Sequence, residues 1–269
     1  MQETVSKLLD SYINFLKLTL LYEVINTKLK NYTKEHGGTT IIDYYALEVK
    51  IVDKSIYTND IIPYLKENNL NRFIKEKISE NKISELINLK ILTNKQLLEN
   101  IENEKTFLDI QIIHLDSIKK DIKKEFSKEV ELMDLKKCIS KRESLKYEIN
   151  ESRYNYYKFA KQTKDFMSDI NLYKYRFQYG SNIGILKIRT TSRTYKKKFI
   201  SYLKDESLDV FDYYIDSQSL LNSTNKKIDR NITEQFKVIN TKEFLYVKIL
   251  RGLYNKKIKK AKHNNNKEK

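Results

Sequence analysis

No glycine or proline interrupts the chain between Pro63 and Gly180. These residues are the strongest breakers of regular structure, so a gap of this length favours long helices over turn-rich sheets. The 269-residue sequence has only 5 Gly and 1 Pro. That scarcity counts against folds built on many tight turns, such as a dinucleotide-binding sheet or a jelly roll.

Hydrophobic spacing fills in the pattern. Val5, Leu8, Leu9, Tyr12, Leu16 and Leu20 recur at helical intervals, Val24 continues the face, and His36-Gly37-Gly38 ends the segment. Residues 41–57 fit two periods: Tyr45, Leu47, Val49 and Ile51 alternate as in a strand, while Ile42, Tyr45, Val49, Val52 and Ile56 share one side of a helix. The helical context tilts the expectation to helix. Short helices are expected at 59–65, 70–79 and 82–91, and Thr93 with Gln96 predicts a capping box. From about 94 to about 170 the pattern reads as helix, with breaks near 103–106.

Within that stretch Leu145, Ile149, Ser152, Tyr156, Phe159, Thr163, Phe166 and Ile170 step alternately by four and three, a coiled-coil seam. Leu115, Ile118, Ile122, Phe126, Val130 and Met133 line a second face with an interrupted heptad. Residues 115–170 are therefore expected to form a helical hairpin, or a long arm that joins a homodimer or a protein partner.

The pattern changes near 172. Tyr173, Tyr175, Phe177 and Tyr179 alternate with Lys174, Arg176 and Gln178, Gly180-Ser181-Asn182 supplies a turn, and Ile183 to Thr190 supplies a second strand. Helices are expected after Ser192, over 207–221 and over 241–260, with a third short strand near 236–239 and a disordered tail at the end. The fold class expected is mainly α: a long helical hairpin or coiled coil over 1–170, a small basic α+β domain over 171–255, and a basic tail over 256–269.

Charge supplies the functional lead. The net charge is +16, from 44 Lys and 8 Arg against 36 acids. Lys, Ile, Asn and Tyr use A/T-rich codons, so part of this excess reflects base composition; such a bias also suits a virus or mobile element. Its distribution is more telling. Residues 1–170 carry 29 basic and 27 acidic side chains, whereas residues 171–269 carry 23 and 9. Codon drift enriches Lys throughout and does not remove acids from one part only.

Two clusters are candidates for phosphate contacts. Lys187, Arg189, Arg193, Lys196, Lys197 and Lys198 fall within twelve residues, with no acid among them and with Ser192 and Thr194 as donors. Tyr195 would stack on a base or, the preferred expectation, pack beside Phe199. Arg251, Lys256, Lys257, Lys259 and Lys260 form the second cluster, which binds polyanions by counterion release or serves only as a solubilising face.

Enzyme signatures are thin. His36, His114 and His263 stand apart in sequence, Cys138 is the single cysteine, and no phosphate loop or GxGxxG occurs. Asp43, Glu48 and Lys50 are the best nuclease set, in which the acids would hold Mg²⁺ and Lys50 would poise water. The expectation is a non-enzymatic nucleic-acid-binding or accessory protein with no cofactor and no resident metal; a coiled-coil scaffold and a Mg²⁺-dependent nuclease are the alternatives. With an acidic, polar start and no apolar run approaching the length of a span, it is expected to avoid membranes and to be cytoplasmic, or nuclear in a eukaryotic host.

Overall fold

The computed structural model describes residues 2–180, 182–223 and 228–255. Over these residues it is a mixed α/β fold with majority helical content (56%) and three small antiparallel sheets, not a hairpin joined to a separate domain. In chain order the elements are α1 (Gln2–Glu35), β1 (Thr39–Ile42), β2 (Tyr45–Tyr57), α2 (Ile62–Glu67), β3 (Ile74–Ile78), α3 (Glu80–Asn88), α4 (Asn94–Asn100), β4 (Ile101–Ile112), α5 (Leu115–Leu132), α6 (Leu135–Asp169), β5 (Lys174–Tyr179), β6 (Asn182–Tyr195), α7 (Lys197–Asp205), β7 (Phe211–Ile215), α8 (Ser217–Leu221), α9 (Arg230–Glu234) and β8 (Lys237–Ile249). A helical turn follows at 251–255. The expected basic tail, 256–269, lies outside the described residues.

The chain divides into two compact units. Of the described residues, unit 1 comprises those in 2–50, 106–191 and 243–255, and unit 2 those in 51–105 and 192–242. Residue 171, where the charge balance shifts, lies inside unit 1.

In unit 1, α1 is the helix on which the others pack. Asn14 donates to Ser152 at 3.0 Å and Arg142 donates to Asn26 at 2.6 Å, which fixes α6 antiparallel to α1. Leu145 and Ile149 are buried with Leu21, Ile25 and Leu29, so α1 covers the first part of the α6 seam, while Phe166 and Ile170 at its end stay exposed. Leu115 and Ile118 of α5 pack near Val5 and Leu8, and Val130 packs near Ile25, so α5 runs parallel to α1. The expected hairpin pairing of α5 with α6 is thus replaced by two pairings with α1. The Lys28 ammonium donates to the carbonyls of Val130, Glu131 and Met133 at 2.8, 3.2 and 2.6 Å, satisfying acceptors at the α5 C-terminus. Gly37 and Gly38, both at positive φ, stop α1: Gly38 N–H reaches Thr33 C=O and Gly37 N–H reaches Lys34 C=O.

Several helices expected from spacing are strands. Residues 41–57 form the β1–β2 hairpin, with Ile42 opposite Tyr45 and Asp43 in the left-handed region at the turn. The segment 101–112 is β4, because Leu108 and Ile112 are buried in one cluster, with Ile110 packed against it, while Phe107, Asp109 and Gln111 alternate with them. Residues 74–78 and 211–215 are β3 and β7, paired from Ile74–Ile215 to Ile78–Phe211, where helices were expected. The expected last helix is β8 through Ile249. The hairpin of β5 and β6 and the capping box at Thr93 and Gln96 match the sequence reading.

The sheet β4–β6–β5 has one face against α1 and α6: Leu108, Ile112, Phe177 and Leu186 are buried with Val5, Leu8, Leu9 and Met167. Gly184 sits opposite Phe177, and the ring lies across the space a side chain would fill.

Unit 2 has two cores of its own. Tyr57, Ile61, Leu65, Phe73 and Leu220 form one; Ile83, Leu92, Tyr195, Phe199, Leu203 and Val210 form the other.

Candidate functional site

The first predicted cluster is divided between the two units. Lys187 and Arg189 belong to unit 1, whereas Arg193, Lys196, Lys197 and Lys198 belong to unit 2.

In unit 2, Arg193 is committed to acids. Its Nε lies 2.7 Å from Glu104 and its Nη1 3.0 Å from Glu80. The Tyr195 hydroxyl donates to the same Glu80 at 2.9 Å, and its ring packs 5.8 Å from Phe199 in the core. Burial, reinforced by the hydrogen bond to Glu80 and its charge, pushes the Tyr195 phenol up to about 12. Arg193 and Tyr195 therefore hold unit 2 together, and Tyr195 has no face free for a base. The Lys196 ammonium donates to the Glu99 carbonyl at 2.6 Å and closes the end of α4. Lys197 and Lys198 are exposed in the first turn of α7. Two lysines there oppose the helix dipole, an arrangement an anion would relieve.

In unit 1 the outward face of β4–β6–β5 collects charge. Strand register places Lys174 directly opposite Lys187, and Arg176 opposite Ile185. Arg189 joins the same face and pairs with Asp109 of β4 at 2.6 Å. Among the described residues, no ion pair engages Lys174, Arg176 or Lys187. Like charges directly opposite on a sheet repel, at a cost of a few tenths to about 1 kcal/mol. Where these three strands run through unit 1, Asp109 is the one acid among their described residues, and Arg189 already holds it. Lys174 and Arg176 were legible in the sequence as the polar side of an alternating strand; what hid them was the register that brings them beside Lys187.

Arg251 is exposed in the turn after β8. The other members of the second cluster, Lys256, Lys257, Lys259 and Lys260, lie outside the described residues.

The nuclease set does not converge. Glu48 and Lys50 do share a face of β2, but they pair with each other at 3.2 Å, and Asp43 pairs with Lys136 at 3.5 Å. Among the described residues no group of three or more His, Cys, Asp or Glu is placed to hold a metal ion. Cys138 is buried, and burial pushes its thiol up.

A cleft of about 910 Å³ in unit 1 lies among α1, α5, α6 and β8, lined by Tyr22, Lys30, Lys123, Arg142 and Phe244. Its cations are answered internally. Lys123 pairs with Glu23 at 2.8 Å, Lys30 with Glu243 at 2.9 Å, and Arg142 with Glu143 at 2.5 Å. The fourth lining cation, Lys28, donates to three backbone carbonyls.

Among the described residues no helix is long and apolar enough to cross a membrane. No protein-family model, curated protein or solved structure matches this chain.

Proposed function

We propose that the protein binds nucleic acid, without acting as an enzyme, through the outward face of β4–β6–β5 in unit 1. The observation that carries this reading is the cross-strand pair Lys174–Lys187 with Arg176 beside it, three cations on an open sheet with no acid engaging them among the described residues. Such a grouping is destabilising on its own and becomes favourable when phosphates lie between the charges. Arg189 adds a fourth cation, oriented by Asp109. Lys197, Lys198 and Arg251 are further contacts in this reading, each on its own unit. Sequence-independent binding to phosphates follows, since nothing among these side chains is fixed to read base edges.

The near-neutral helical part would hold a second copy or a protein partner; of the α6 seam, Leu145, Ile149, Ser152 and Thr163 are buried, which leaves Phe166 and Ile170 as the exposed apolar positions for it. Within unit 1, α1 and α6 support the basic sheet.

The test is a mobility-shift titration at several salt concentrations, comparing the wild type with Lys174→Glu/Lys187→Glu. The wild type should bind at low salt and weaken steeply as salt rises. The double reversal should weaken binding and flatten the log–log salt slope by about 0.7–0.9 for each phosphate that is no longer neutralised. An unchanged affinity and slope would remove this face from the reading.

A further inference from the structure

Duplex and single-stranded nucleic acids both offer phosphates, and the same sheet face bears on which of them fits. Beside its cations the face carries apolar side chains. Phe107 on β4 is 41% exposed, Ile183 on β6 is 54% exposed, and Ile113, whose N–H donates to Ile183 C=O at 3.0 Å, is 47% exposed. Ile185, half-buried, lies between them on the central strand opposite Arg176. The inner face of the sheet has its own complete apolar layer, so these outward residues are not needed for the core.

A three-stranded sheet is about 10 Å across, and the stretch of β6 from Ile183 to Arg189 is about 20 Å long at ~3.3 Å per residue, so cations and apolar groups lie within reach of a few successive nucleotides. A duplex offers phosphates but keeps the flat faces of its bases stacked inside, and would leave Phe107 and the isoleucines facing water or sugar. A single strand offers phosphates and unstacked base faces together.

Resting on the nucleic-acid reading above, we infer that this face is a platform for single-stranded nucleic acid. Bases lie against Phe107, Ile185 and Ile183, and the backbone follows Lys174, Arg176 and Lys187. Phe107 is the stacking residue, because it is the aromatic ring on the outward face of β4.

The test uses three probes at one salt concentration, read by fluorescence anisotropy or by competition: an oligothymidylate, a blunt duplex of equal length, and inorganic polyphosphate as a polyanion without bases. The oligothymidylate should bind roughly tenfold or more tightly than the duplex. Phe107→Ala should weaken oligothymidylate binding by roughly 5- to 100-fold and leave polyphosphate binding within about twofold. Phe107→Leu keeps an apolar group without a ring and should fall between; its circular dichroism should match the wild type, which separates lost stacking from lost fold. A duplex preference, or equal weakening of both probes by Phe107→Ala, overturns the single-strand assignment and leaves phosphate binding standing. Failure of all three probes to bind overturns both.

Discussion

The replacement Gly184→Ala tests how the basic sheet is seated on its core. A Cβ at this position would stand 2.1, 2.5 and 2.7 Å from three atoms of the Phe177 ring. Ordinary carbon contacts are about 3.5–4.0 Å, so the ring must retreat by more than an ångström. It has little room: Phe177 is buried among Val5, Leu8, Leu9, Met167 and Leu186. Forcing the ring inward overpacks a close-packed cluster, at about 1–3 kcal/mol. Letting it swing into water forfeits the burial of a phenylalanine, about 1.5–3 kcal/mol. The cheaper route sets the cost, about 1–3 kcal/mol, or on the order of 2–12 °C in melting temperature for a chain of this size. Denaturant titration of the wild type, Gly184→Ala, Phe177→Leu and the double variant would measure it. Shortening residue 177 should relieve the clash, so the double variant should be no less stable than Phe177→Leu, with a coupling of at least about 1 kcal/mol. A Gly184→Ala cost below about 0.5 kcal/mol, or simple additivity, would refute the packing argument.

Further outcomes follow from unit 2 and its polar network. Arg193→Lys should destabilise the fold by about 1 kcal/mol in thermal melts, because an ammonium cannot reproduce the two directed bonds to Glu80 and Glu104. It should leave polyanion affinity unchanged in the same mobility-shift titration. Tyr195, with its phenol held up to about 12, should stay protonated in ultraviolet titration through the range, near 10, where a free phenol ionises. The folded state then binds the extra proton, so this stabilisation is whole below about pH 10 and is lost as pH rises toward 12; Tyr195→Phe should flatten stability across that window. Thr93→Ala removes the acceptor of the Gln96 N–H in the capping box and should cost about 1 kcal/mol by denaturant titration.

The sequence was most readable where one period dominated. Residues 173–190 alternate cleanly around Gly180, and the β5–β6 hairpin forms there. The α6 seam was visible too, but a seam does not name its mate, and the mate is α1, more than a hundred residues away in sequence. The absence of Gly and Pro misled at β4: the run Leu108, Asp109, Ile110, Gln111, Ile112 alternates as a strand, and lack of a breaker is not evidence for a helix. At 244–250 the apolar residues crowd too closely for one period to win, and pairing with β2 settled them as strand. The candidate site was half legible. The charge excess after 171 pointed to Lys187 and Arg189. The partners of Arg189 and Arg193, namely Asp109, Glu80 and Glu104, lie 80 or more residues earlier in the chain, and only the fold brings them together.

Ultraviolet crosslinking of the full chain to a photoreactive single-stranded oligonucleotide, with the crosslinked peptides located by mass spectrometry, tests the basic sheet most directly. The adducts should map to Phe107 and to the strands bearing Lys174, Arg176 and Lys187. Adducts confined to other segments, such as the start of α7, would contradict a binding face on β4–β6–β5.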